Sequence, residues 1–511
     1  MDLDTTLVDA LREALRLETG HPVALVETHI SWVLLTRTLA FKLKKPVCLP
    51  FLDFGSVQAR KHFCDEELRL NRRFAPALYI DVAPVCGTRD APHIGGEGTP
   101  IDHVVRMRRF PASSLLLDLL ETGRLEPAQL DGFARRLAVL HENAERATTV
   151  SGFGGPERVF HAVTDVLAAL RAQGSDSRLD AVDAWVREQG RALHMAWTAR
   201  QQSGAVRECH GDLHMANVVL VDGALTPFDC IEFDPALRWI DVMSDVAFLT
   251  MDLKAHGRRD LAFRFLDAWL QHSGDYAGLQ VWRFYEVYRA LVRAMASGLG
   301  PRGPQAAVRP DYLACAAQLA QQPGDDARLM ITHGFSGSGK SSVASQLLCA
   351  AGAVRLRSDV ERKRLHGLGP LARSAGLGLD IYGAEATRRT FERLRACARD
   401  ALLAGYPVIV DAAFLRSAER QRFRTLAAEL RVPFTILDCR ADTETLRRRV
   451  AARDAAGTDA SEAGLAVLER QLVSHDPLEA NERGLVIEVS TQDLVDIARI
   501  AAHWRAAAPG L

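Results

Sequence analysis

Nowhere in this chain do about 18 apolar residues run together, the length a membrane-spanning helix needs, and the opening Met-Asp-Leu-Asp-Thr-Thr is acidic where a secretory leader is basic. The sequence therefore predicts a cytoplasmic chain with no membrane partner. Charge of one sign is also lacking: 63 Lys plus Arg stand against 64 Asp plus Glu. That balance supplies no overall field to gather nucleic acid, which disfavours long polynucleotides as partners but leaves local basic pockets open. The nine cysteines are scattered, with no C-x-x-C pair and no His/Cys group at zinc spacing, and an odd number does not make a disulfide framework. Internal repeats and low-complexity tracts are absent.

What is present is ample core material. A length of 511 residues, 48% hydrophobic and 25% charged, implies two or more globular domains. Up to about residue 110, β-like runs over 32–43 and 104–107 flank one helical stretch over 57–73, the pattern of a small α+β lobe. From 115 to 319 the periodicity is mainly helical, interrupted over 209–234 by short apolar runs, the pattern of a larger helical lobe (111–322). Residues 298–310 read as a loop closing this first domain (1–322) or as part of the linker. The polar, turn-rich stretch 321–326 sets a linker at 323–327. Over 328–511, strands at 329–332, 354–357, 408–410, 434–439 and 485–489 alternate with helices, which predicts an α/β domain with a parallel sheet covered on both faces.

The last domain opens on Gly334-Phe-Ser-Gly-Ser-Gly339-Lys340-Ser341, a match to G-x-x-x-x-G-K-[ST] between a strand and a helix. The glycines let the backbone amides of Gly334, Ser336, Gly337, Ser338, Gly339 and Ser342 turn inward on phosphates, and the helix N-terminus adds its positive end. Lys340 is placed for the β and γ phosphates, and the Ser341 hydroxyl for magnesium. Asp359 follows the next strand and suits a base for an acceptor hydroxyl. Arg362, one turn later, suits an acceptor's anionic group. The bland alternatives are a helix cap and a solvated arginine. Asp411 ends a strand and suits magnesium or a cap equally. Arg449 and Arg453, four apart, share a helix face from which they could close over a transferring phosphoryl group, or lie in solvent. Together these features resemble the small P-loop kinases that include gluconate kinase, chloramphenicol phosphotransferase, the zeta toxins and polynucleotide 5′-kinase. That resemblance implies Asp359 as the base and Arg449 and Arg453 as lid arginines.

A second constellation lies in His210-Gly211-Asp212-Leu213-His214-Met-Ala-Asn217, with Asp229 twelve residues on. Phosphoryl transfer needs a carboxylate beside the acceptor hydroxyl and further oxygens for magnesium; Asp212 fits the first role, Asn217 and Asp229 the second. His214 is placed for an acceptor or for a structural hydrogen bond. Glu232 is a candidate outer neighbour of the metal, while Asp241 and Asp245 read as helix caps or braces.

This loop resembles that of the aminoglycoside phosphotransferase family, which implies a bilobal, protein-kinase-like fold. The resemblance marks Lys42 as the phosphate lysine, with Lys44 its rival, and Glu67 or Glu66 as its partner. Residues 106–110 would join the lobes beside adenine. No G-x-G-x-x-G precedes Lys42, so phosphate cover would come from Ser31 and backbone amides, and Asp229-Cys-Ile replaces D-F-G. As a whole the chain is similar to bacterial two-part proteins described as bifunctional aminoglycoside phosphotransferase and ATP-binding protein. The expectation is two sites for ATP or GTP with Mg2+, each phosphorylating a hydroxyl of a small molecule. The alternative is a P-loop NTPase, or a nucleotide or polynucleotide kinase, regulated by a substrate-binding pseudokinase.

Overall fold

The computed structural model describes residues 3–49, 52–174, 176–298, 310–321, 326–374, 381–457 and 459–507. The chain forms two compact units. One comprises Met1–Arg136, Leu140–Arg158 and Arg200–Leu249; the other comprises Leu137–Val139, Val159–Ala199 and Thr250–Leu511. The boundary expected at 323–327 lies within the second unit, and its residues 323–325, like nearly all of the loop expected over 298–310, fall outside the described residues.

The first unit begins with a helix, Leu3–Thr19, where the sequence analysis expected none. Leu7, Val8, Leu11 and Leu15 recur at helical spacing and pack on Leu34, Phe41, Leu43, Val85 and Val104 of the sheet. That sheet has six strands, ordered Ala24–Glu27, Ser31–Leu35, Leu39–Lys44, Asp102–Arg108, Tyr79–Gly87 and Pro92–Ile94, antiparallel throughout. The single run expected over 32–43 is thus two strands, turned at Thr36, whose hydroxyl accepts from the Leu39 N–H. Helix Val57–Phe74 starts at Ser56, whose Oγ accepts from the Ala59 N–H at 3.1 Å, and it buries Cys64, Glu67, Leu70 and Asn71. Beyond the sheet, the hairpin Val218–Val221 with Ala224–Pro227 brackets the segment between Asn217 and Asp229.

The second unit carries the parallel sheet. Its order is Val354–Arg357, Val408–Asp411, Leu329–His333, Phe434–Arg440 and Val486–Ser490. The central strand is an unbroken buried run, Leu329 to Ile331, because both of its faces are covered. Helix Lys340–Ala351 leaves that strand through the phosphate-loop motif, and helices Ala384–Leu403, Ser417–Leu430 and Ile497–Ala506 complete the layers. Helix Arg259–Ser273 belongs to the same unit. It buries Leu261, Phe263, Phe265, Leu266, Asp267, Trp269 and Leu270, and its carbonyls at Gln271 and His272 accept from Arg364 at 2.6 and 2.9 Å. Among the described residues no helix is long and apolar enough to cross a membrane.

Candidate active sites

In the first unit, a strand and a helix bring five charges together. Lys42 and Lys44, two apart on strand Leu39–Lys44, share one face, and both reach the fully buried Glu67 of the adjacent helix, at 2.9 and 2.8 Å. The amines then diverge: Lys42 Nζ lies 2.5 Å from Asp229 Oδ1, whereas Lys44 pairs with Glu232. Lys44 is wholly enclosed, while Lys42 and Asp229 keep 12% and 42% of their side-chain exposure. Lys42 is therefore the lysine open to a ligand, and Lys44 with Glu232 is an internal brace. Burial opposes the charge on Lys42, but Asp229, Glu67 and Glu232 overcome it and hold the amine well above its ordinary range. Glu66, the rival partner, turns instead to Arg69 and Arg238.

The His210–Asn217 loop is hung from one carboxylate that the sequence reading set aside as a helix brace. Asp245, fully buried, accepts from the backbone N–H groups of His210 and Gly211 at 2.8 and 2.9 Å and lies 3.3 Å from His141 Nε2. Gly211 has φ +84°, and a Cβ there would stand 2.6 Å from the Leu237 carbonyl oxygen, so only glycine fits. Downstream, Asn217 Nδ2 donates to Asp212 Oδ2 at 2.8 Å, leaving its amide oxygen for another ligand. His214 sits 3.4 Å from the same carboxylate with its ring tilted against Phe248. Asp229 has φ +62°, a conformation costly for a residue with a side chain, and its N–H donates to Tyr79 Oη at 3.1 Å. Asp241 pairs with Arg200 through both oxygens, at 2.5 and 2.7 Å. Ser31 opens its strand opposite Lys44, with a buried hydroxyl that has no hydrogen-bond partner. At the end of strand Asp102–Arg108, Phe110 meets Phe228 edge to face at 5.0 Å.

In the second unit, the phosphate loop has the expected left-handed glycines. Gly334, Gly337 and Gly339 take φ of +136°, +84° and +79°, and at Gly337 a Cβ would meet the Leu446 carbonyl oxygen at 2.7 Å. Lys340 folds back over the loop, donating to the Phe335 carbonyl at 2.7 Å, and burial lowers its amine from the ordinary value against the pull of Asp411 and Asp359. The Ser341 hydroxyl donates to Asp411 Oδ1 at 3.1 Å, while the buried Asp411 Oδ2 accepts no hydrogen bond. A hard divalent cation takes such oxygens, so Ser341 and Asp411 fit magnesium. Helix Ser417–Leu430 starts well beyond Asp411, so a capping role is ruled out there.

One cleft of about 490 Å³ joins Ser336, Gly337, Gly339, Lys340, Ser341 and Ser342 to Asp359, Arg362, Asp411, Arg449 and Arg453. Asp359 is in the first turn of helix Ser358–Leu365, whose cap makes no side-chain hydrogen bond, so Asp359 is not spent as a cap. Arg362 is 7% exposed, which removes the solvated alternative; it donates to the Ile381 carbonyl at 2.8 Å and lies over the Tyr382 ring, with its Nε unpartnered. Arg449 is tied to Thr491 and to the Gly337 carbonyl, and Arg453 to the Ala463 carbonyl. Ser338, buried, donates its N–H to the Phe335 carbonyl, closing the loop's turn.

A family model described as an AAA domain matches residues 329–478. Over 456 residues the chain is 31% identical to the uncharacterized protein Rv2004c of Mycobacterium tuberculosis (strain ATCC 25618 / H37Rv) and equally to the uncharacterized protein Mb2027c of Mycobacterium bovis. Each match takes in 87% of this chain and 89% of the relative. The chain belongs to their family. Solved structures similar to parts of it include a choline/ethanolamine kinase family protein from Mesorhizobium loti, at 15% identity and TM-score 0.39, covering 62% of this chain and 96% of that one. Others are a putative kinase from Chloroflexus aurantiacus, at 19% and 0.29 over 36% of this chain and 98% of that one, and a gluconokinase from Sinorhizobium meliloti, at 19% and 0.26 over 35% and 93%.

The roles of two residues of this family member escaped the sequence reading. Asp245, read as a helix cap or brace, carries no motif of its own, and its role exists only because the loop 34 to 35 residues earlier folds over it. Glu419, in the first turn of helix Ser417–Leu430, faces the same cleft as Arg362; burial pushes its carboxyl up to about 7, against the lowering effect of Arg362. An acidic residue in a helix's first turn was the available signal, but helix N-termini hold such residues routinely.

Proposed function

We propose that this protein is an ATP- and magnesium-dependent phosphotransferase with two nucleotide sites, each moving a γ-phosphate to a hydroxyl of a small molecule. The observation that carries the reading is the cleft of the second unit, where a half-buried Lys340, the Ser341–Asp411 oxygens and Asp359 line one space. Asp359 takes the acceptor's proton as the acceptor oxygen bonds to the γ-phosphorus, and the bridging oxygen leaves with the nucleoside diphosphate. Lys340, Arg449 and Arg453 supply positive charge around the equatorial oxygens. Magnesium, held by Ser341 and Asp411, would neutralise the phosphates. Arg362, with an unpartnered Nε, suits an anionic group on the acceptor.

In the first unit, Asp212 plays the part of Asp359, Asn217 and Asp229 offer the metal oxygens, and Lys42 braced by Glu67 meets the phosphates. The experiment is incubation of the full-length protein with γ-labelled ATP, Mg2+ and a fractionated metabolite extract with an aminoglycoside panel, alongside Asp212→Ala and Asp359→Ala. Two labelled products, each lost in one variant, support two sites. Release of phosphate alone, unchanged by Asp212→Ala, rejects the two-site reading.

A regulatory first unit is the second reading, and one contact favours it. Lys42 Nζ closes directly on Asp229, so the lysine and the metal-type carboxylate satisfy each other. Under that reading Asp212→Ala leaves all turnover intact, while Lys42→Ala alters the rate at the second site.

A further inference from the structure

Arg355 carries a buried charge that the phosphoryl transfer does not use. It lies on strand Val354–Arg357, 7% exposed, next to the start of helix Lys340–Ala351. One Nη donates to the Ser341 carbonyl at 3.3 Å and stands 3.9 Å from Asp411 Oδ2, the carboxylate oxygen that accepts no hydrogen bond. The remainder of the guanidinium is engaged by Asp267, with Nε 3.3 Å from Oδ1 and the second Nη 2.8 Å from Oδ2. Asp267 comes from helix Arg259–Ser273, 88 positions earlier in the chain, where Gln271 Nε2 also donates to it at 2.5 Å.

A guanidinium out of water gains most from a carboxylate, and among the described residues Asp267 and Asp411 stand within 4 Å of Arg355. A charge-assisted contact closes at about 2.8 Å, so a small swing of Arg355 would bring it onto Asp411 Oδ2. That oxygen would then no longer serve a cation. Asp267 prevents the swing by holding the fork from its far side.

We infer that Asp267 is a positioning residue for the second site: it keeps Arg355 off Asp411, so that the Ser341–Asp411 oxygens stay open to a divalent cation. The inference rests on the nucleotide-site reading given above. It extends that site to a helix that lies before the polar seam and outside the phosphate-loop motif.

The test is Mg2+ titration of a fluorescent ATP analogue bound to the full-length protein, read on the component that Lys340→Ala removes. Asp267→Asn should raise half-saturating Mg2+ about tenfold while changing metal-free analogue affinity less than about twofold, since only the cation's oxygen is lost. The double variant Asp267→Leu/Arg355→Met, which removes both charges together, should return half-saturation to within about threefold of the parent. An unchanged Mg2+ requirement in Asp267→Asn overturns the inference. So does a double variant no better than the single one, which would make the pair a simple brace. Absence of any Lys340-dependent binding in the parent would instead reject the nucleotide-site reading itself.

Discussion

Single side chains line the candidate sites of both units, and three of them make separable predictions. Asp359 lines the cleft without capping its helix, so Asp359→Asn should lower transfer at the second site about 10²- to 10⁴-fold while leaving nucleotide affinity within about threefold. Steady-state kinetics beside equilibrium binding separates the two effects. Glu419 has the opposite sign from most folded carboxylates. Its folded value of about 7 lies above the usual carboxylate range, so the folded state keeps a proton that the unfolded chain gives up. Below the unfolded value there is no penalty; stability falls as pH rises from there through about 7, and the full cost is present above it. Glu419→Gln should therefore raise the melting temperature of the second unit at pH 8, by about 1–3 kcal/mol of stability, and the gain should shrink at pH 5. Lys44 is the third case. Fully enclosed between Glu67 and Glu232, it cannot leave without stranding Glu232 and taking one of its two lysines from Glu67, so Lys44→Met should destabilise the first unit by about 3–5 kcal/mol in denaturant titration.

At the level of elements, positions that look interchangeable are fixed by what they abut. The loop carrying Asp212 forms only a single 3-10 turn, Met215–Asn217, and is fastened to Asp245 through two backbone N–H groups. Asp245→Ala removes their shared carboxylate acceptor, about 1–3 kcal/mol for each bond, and should abolish labelling dependent on Asp212 while sparing labelling dependent on Asp359. Loss of both labels would show that the effect is global unfolding. The helix Leu3–Thr19 teaches a related lesson. Its spacing of Leu7, Val8, Leu11 and Leu15 was visible in the sequence, but what fixes it is the apolar sheet face it covers, Leu34, Phe41 and Val104 among others. The run over 32–43 shows the reverse: Thr36-Arg37-Thr38 turn the chain between two apolar strands, too short a polar break to separate them by pattern alone.

On the scale of the whole molecule, the polar seam in the sequence does not mark where packing stops. Helices Arg259–Ser273, Leu279–Gly298 and Tyr312–Gln321 fall in the same compact unit as the parallel sheet. Arg355, Arg364 and Arg393 all take partners from residues 267–274. A fragment of residues 328–511 would take Asp267 from the buried Arg355, at about 3–5 kcal/mol, and would leave Arg364 and Arg393 with Glu361 but without their carbonyl partners. It should melt about 10 °C or more below the corresponding transition of the full chain in calorimetry. For the same reason, point variants assign the two sites more cleanly than truncation at the seam.

By itself the sequence determined the phosphate loop, the spacing of Asp212, Asn217 and Asp229, and all five parallel strands to within a residue at each end. These are local matters: a loop that wraps phosphates needs its glycines consecutive in space and therefore close in sequence, and a buried parallel strand needs an unbroken apolar run. Tertiary structure alone decided that Lys42 rather than Lys44 reaches Asp229, that Glu67 rather than Glu66 braces them, and that Asp245 holds the loop. Period-two alternation puts both lysines on one face, so only the position of Asp229 beyond the sheet could separate them. The Asp267–Arg355 pair was equally out of reach, because charge complementarity across 88 residues leaves no pattern until the helix and the strand are packed together.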